Sequence, residues 1–168
     1  MESGSVKMAM PALALQPMLH HSLLIGFCAV GALAAAPACA DEVTVQTRFG
    51  VLKTNAYGDF QFQGKTVAPA VNVMSSAYVI SSYQLRTSDV VFVSQAEGNL
   101  CPGRFTYIVV TERGARATPT FGTCYDDDVT PVQAGESIAF SMKKIGGKGS
   151  VRYTYERGIV FENGKQVK

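Results

Sequence analysis

Between residues 41 and 168 the chain carries seventeen valines and only three leucines, Leu52, Leu85 and Leu100. A helical domain is hard to build from that ratio. Valine's branched Cβ stiffens χ1 and suits a pleated surface. Seven tyrosines in the same stretch favour strands as well. No convincing 3.6-residue period runs through it, whereas period-two runs recur. Val43–Thr47 alternates up to Gly50, and Val51–Asn55 and Asp59–Gln63 form two short strands joined through Tyr57-Gly58. Ala77–Leu85 alternates around Val79, Ser81 and Tyr83. Val90–Val93 and Phe105–Val110 are apolar on both faces, which predicts central strands covered on two sides.

Towards the C-terminus, Ile138, Phe140 and Met142 share one face, as do Val151, Tyr153 and Tyr155, with Ile145–Gly149 as the hairpin loop between them. Ile159–Phe161 precedes Asn163-Gly164, a strong two-residue hairpin signal. The runs Phe62–Val67 and Phe161–Val167 echo one another, and read as two hairpins with common turn chemistry rather than a duplication. About eight to ten short strands at this spacing predict an all-β antiparallel sandwich or small barrel. No linker or low-complexity tract divides the stretch, so 41–168 is expected to be a single β domain.

The first forty residues have a different character. From Leu23 to Ala36 runs an apolar, alanine-rich segment, followed by Pro37 and the small-x-small triplet Ala38-Cys39-Ala40. That is the pattern of a cleaved secretory signal, with the mature chain beginning at Asp41. The stretch is short for a membrane span and lacks a positive stop-transfer flank. The long leader has Lys7 as its only strong base, and leaves Met8, Met10 and Met18 as alternative starts. A buried N-terminal helix and lipoprotein anchoring at Cys39 are the minor alternatives. The expected location is therefore periplasmic or secreted, with no transmembrane span in the mature chain.

Cleavage would remove both histidines, His20 and His21, and two of the four cysteines, leaving Cys101 and Cys124. Without histidine there is no Ser-His or Cys-His pair for nucleophilic catalysis. Zinc would need carboxylates and both cysteines, a poor donor set. No cofactor is expected. Charge excludes little: removing Glu2 and Lys7 leaves 14 basic and 12 acidic residues, net +2.

An exported chain with two cysteines is expected to close one disulfide. Cys101-Pro102-Gly103 leads into an aromatic strand through Tyr107, answered by Phe121-Gly122-Thr123-Cys124. Folded about Arg113 in the turn Thr111–Gly114, the cysteines lie twelve residues before and eleven after, near register at the open end of a hairpin. Together with Asp126 and the closing Phe161–Lys165 run, this pattern resembles a group of uncharacterised small exported proteins of Gram-negative bacteria. The resemblance covers about the C-terminal half. It implies an exported single domain with one disulfide, and it supplies no catalytic or ligand residues to carry over.

Two charged clusters remain. Asp126-Asp127-Asp128 lacks the ligand spacing and glycine of a calcium loop, and is expected to be a solvated turn. Lys143, Lys144, Lys148 and Arg152 form a candidate contact surface for an anionic glycan, a lipid headgroup or an acidic partner protein. Arg152 should point away from Tyr153 and Tyr155, which places the tyrosines in the core and the bases at a solubilising hairpin tip. Nucleic acid is not an expected partner. The expected function is that of a small non-enzymatic β-domain binding a protein or a cell-envelope component, of inhibitor, immunity or envelope-accessory type. The alternatives are a small-molecule carrier with a cavity between sheets, and a hydrolase using carboxylates alone.

Overall fold

The period-two segments become three consecutive antiparallel meanders, with no helix among the described residues. The computed structural model describes residues 42–71, 78–95, 101–125 and 129–168. The expected signal segment with Cys39, and the acidic run at 126–128, lie outside these residues. The N-terminal sheet holds β1 (Thr44–Thr47), β2 (Gly50–Thr54), β3 (Phe60–Phe62) and β4 (Lys65–Thr66) in chain order. The central sheet holds β5 (Val79–Gln84), β6 (Asp89–Ser94), β7 (Phe105–Thr111) and β8 (Gly114–Ala117), again in chain order. The C-terminal sheet holds β9 (Val132–Ala134), β10 (Ser137–Lys143), β11 (Ser150–Glu156), β12 (Ile159–Glu162) and β13 (Lys165–Gln166). Nine of these strands have four residues or more, within the number expected from patterning; the other four have two or three residues.

The central sheet is covered on both faces, because β6 and β7 carry apolar residues at successive positions. Val90, Phe92, Tyr107 and Val109 pack with Ile138, Phe140, Tyr153 and Tyr155 of the C-terminal sheet. Val91, Val93, Ile108 and Val110 pack with Leu52, Phe60 and Phe62 of the N-terminal sheet, together with Val67 and Val71. The registers Phe92↔Tyr107 and Val91↔Ile108 keep each pair on its own face. The first interface is filled by aromatic rings, with Phe92 5.3 Å from Phe140, Tyr107 5.0 Å from Tyr155 and Phe121 5.2 Å from Tyr153. Such pairs add about 0.5–1.5 kcal/mol each beyond area burial. The Tyr107 hydroxyl, buried there, has no hydrogen-bond partner among the described residues.

Turn chemistry fixes the registers. Asn163-Gly164 closes β12 onto β13 with both residues at positive φ, and Gln63-Gly64 does the same between β3 and β4. Val67 N–H donates to the Phe60 carbonyl and Val167 N–H to the Val160 carbonyl, each at 2.9 Å. The echoing sequences are therefore two copies of one hairpin geometry.

Cys101 and Cys124 are joined, with their Cα atoms 4.2 Å apart at the open end of the β7–β8 hairpin. Beyond β8 the returning chain rejoins β7 at Phe121, whose backbone exchanges bonds of 2.7 and 2.9 Å with Phe105. Next to the disulfide, a Cβ on Gly122 would fall on the Gly103 carbonyl oxygen, and one on Gly103 would fall on that of Tyr125. Only glycine lets these backbones approach so closely.

Candidate functional site

Antiparallel pairing sends alternate turns to the same end of the stack. The turns β1–β2, β5–β6, β7–β8, β9–β10 and β11–β12 gather at one end, while the disulfide and the β10–β11 loop lie at the other. Five arginines come with these turns: Arg48, Arg86, Arg113, Arg116 and Arg157.

Arg48 has a structural task. Its Nε donates to Asp89 Oδ1 at 2.7 Å and its backbone N–H to Oδ2 at 2.6 Å, and its guanidinium also reaches the carbonyls of Leu85 and Ser88. Asp89 is buried, with 4% of its side chain exposed against 39% for Arg48. This pair ties the first turn of the N-terminal sheet to the β5–β6 turn of the central one.

The other four arginines have no carboxylate at salt-bridge distance among the described residues. Arg86, Arg113 and Arg116 line a half-open cleft of about 740 Å³, together with Phe49, Thr87, Val109, Thr111, Glu112 and Ala115. A smaller recess of about 250 Å³ shares Thr87, Val109, Thr111 and Arg116 with it, and adds Tyr155, Glu136 and Arg157. The two form one arginine-rimmed depression with an apolar and hydroxyl-bearing floor.

Local structure fixes the backbone that carries these arginines. Arg113 sits in the two-residue β7–β8 turn, where its N–H donates to Thr111 Oγ1 at 3.2 Å. The Arg86 backbone N–H donates to Glu136 Oε1 at 2.9 Å, joining the β5–β6 turn to the β9–β10 turn. Arg157 and Gly158 are both at positive φ in the β11–β12 turn. Arg116 lies across that turn, and a Cβ on Gly158 would fall on its guanidinium. Below it, burial pushes the Tyr155 phenol up, opposed by the Arg116 charge and by hydrogen bonds to Gly158 and Ser88.

The basic residues singled out from sequence lie elsewhere. Lys143 ends β10 with its Nζ 5.3 Å from the centre of the Tyr125 ring. Lys144 closes the loop through its backbone, accepting from Gly147 N–H and donating to the Gly149 carbonyl. Lys148 is exposed in that loop, and Arg152 is exposed on β11 opposite Ser141. Tyr153 and Tyr155 are each 1% exposed, so tyrosines and bases do lie on opposite faces of β11. Lys143 and Arg152 share the outer face near one strand end, but none of the four lysine-hairpin residues lines the depression.

Sequence reasoning missed the arginine depression, because its members are scattered over seventy-two positions, from Arg86 to Arg157. A faint signal was present in the tripeptide Glu-Arg-Gly, which occurs at 112–114 and again at 156–158, each time at a hairpin turn. Among the described residues there is no cluster of three metal-ligating side chains, and no helix long and apolar enough to cross a membrane. Comparison with family models, curated proteins and solved structures finds no match for this chain.

Proposed function

We propose that this chain is an exported, non-enzymatic β-domain that acts by binding a component of the cell envelope or a protein located there. The observation that carries the reading is the arginine-rimmed depression at the turn end. Four arginines with no carboxylate at salt-bridge distance among the described residues line it beside two glutamates, Glu112 and Glu136, so the depression keeps a net positive charge that suits an anionic group. A disulfide is at home in an oxidising compartment. The small-x-small triplet ending at Ala40 supports periplasmic delivery or secretion with Asp41 as the first mature residue. The depression takes the place of the lysine hairpin as the leading contact surface.

The test is retention of the full chain, exported from a Gram-negative host, on isolated envelopes from the same cells. Saturable retention is expected, with a mature N-terminus at Asp41. Retention that rises linearly with protein concentration would overturn the binding role, and a lipid-modified Cys39 would replace soluble export with anchoring.

A further inference from the structure

We infer that the depression recognises a phosphomonoester-type dianion borne on a ring or other apolar body. This rests on the binding role proposed above and specifies its ligand chemistry. Charge balance gives the valence. The larger cleft holds Arg86, Arg113 and Arg116 against Glu112, so 3 − 1 leaves +2. The recess adds Arg157 and Glu136, which cancel, and Arg48 is neutralised by Asp89. A phosphomonoester carries about −1.5 to −2 at neutral pH, which matches that excess; a monocarboxylate would neutralise only half of it.

The identity of the cations supports the same chemistry. Every basic residue lining the depression is arginine and none is lysine. The planar guanidinium presents paired donors to a phosphate or carboxylate, whereas an ammonium is a point charge. Size and floor then define the rest of the ligand. A cleft of about 740 Å³ is the size of a small-molecule site. Beside the arginines, Phe49, Val109 and Ala115 offer apolar surface, and the half-buried Phe49 ring already carries the Arg48 guanidinium 5.4 Å from its centre. A concave site confined to one end of the stack suits a single phosphorylated group better than a long polyanion, which would need a cationic track.

The phosphate could be carried by a soluble molecule or by a lipid, and two probes separate these sources. Phenyl phosphate, with benzoate as its singly charged counterpart, is titrated into the full chain by calorimetry. Vesicles of phosphatidylcholine with and without phosphatidic acid are used for co-sedimentation. Saturable binding of phenyl phosphate, with inorganic phosphate competing and benzoate much weaker, is expected for a soluble ligand. Sedimentation with phosphatidic acid vesicles alone identifies a lipid-borne group, and either result supports the inference. Arg113→Gln combined with Arg116→Gln should weaken the bound probe about tenfold or more. Arg86→Gln provides an independent variant from another turn, and Lys144→Gln with Lys148→Gln should change nothing. Unchanged thermal unfolding verifies that each variant is folded.

Equal affinity for benzoate and phenyl phosphate overturns the dianion assignment. Binding that survives the arginine substitutions but fails in the lysine variant overturns the site. If neither probe binds while envelope retention remains saturable, the ligand chemistry is wrong and the binding role stands. Loss of both removes both.

Discussion

At the scale of single residues, the Arg48–Asp89 pair shows how a buried charge is accommodated. Asp89 is removed from water but accepts two bonds from Arg48, one from the side chain and one from the backbone. Removing one partner of a buried pair is expensive because the other is left uncompensated. Arg48 is partly exposed, so water recovers some of that cost. Asp89→Ala should therefore destabilise the domain by about 2–3 kcal/mol, below the full range for a buried pair. Asp89→Asn should cost less, since one oxygen can still accept. Denaturant unfolding of both variants checks this, and a loss below about 1 kcal/mol for Asp89→Ala would show that the contact contributes little.

Hairpins are the unit at the scale of elements. Each sheet is a meander of strands adjacent in sequence, so turn residues set most registers. Where turn and strand signals agreed, the elements were legible. Asn163-Gly164 marks β12–β13, and the two-sided apolar runs mark β6 and β7. β8, Gly-Ala-Arg-Ala, was legible only as the returning arm of the hairpin folded about Arg113 and not as a strand pattern, because neither glycine nor alanine favours a strand. It is a strand because β7 pairs with it from Ile108 to Thr111, and because Ala117 N–H donates to the Ala68 carbonyl at 2.9 Å. The disulfide acts on this same hairpin, closing a separation of 23 residues. Cys101→Ser and Cys124→Ser should each cost about 2–5 kcal/mol, and the double variant little more than either single. Additive losses in a double-mutant unfolding series would mean that each cysteine does something besides bonding the other.

At the scale of the whole fold, the described residues form three layers whose C-terminal interface is lined with phenols. Burial pushes the Tyr153 phenol up to about 12, reinforced by the Glu162 carboxylate that accepts from it at 3.3 Å. Burial likewise raises Tyr107 and Tyr155. The sign of the pH effect follows. Unfolded tyrosine releases its proton near pH 10, while these three hold theirs when folded. Below that pH both states bind the same protons and the phenols leave stability unchanged. Above it the unfolded state is favoured, and stability falls as the pH rises towards 12. Urea unfolding between pH 8 and pH 12 should show a flat region and then a decline, shallower in Tyr153→Phe. A variant profile that superimposes on the wild type would remove Tyr153 from this linkage.

The sequence by itself determined what depends on neighbours along the chain. Valine-rich alternation made strands, Asn163-Gly164 made a tight hairpin, and near-register cysteines flanking one turn made a disulfide. Each is set within a few residues of backbone or within one hairpin. The tertiary structure alone decided which turns meet. Arg86, Arg113, Arg116 and Arg157 belong to two different sheets, and apart from the Glu-Arg-Gly tripeptide shared by two of the turns no sequence pattern connects them. They converge because antiparallel pairing alternates the ends at which turns fall, and because a central sheet buried on both faces holds the outer two in place. The lysines at 143, 144 and 148 stood out in sequence because they are close along the chain. Proximity in sequence put them at one exposed hairpin end, Lys143 closing β10 and the other two in the loop that follows; proximity in space assembled the arginines into a depression.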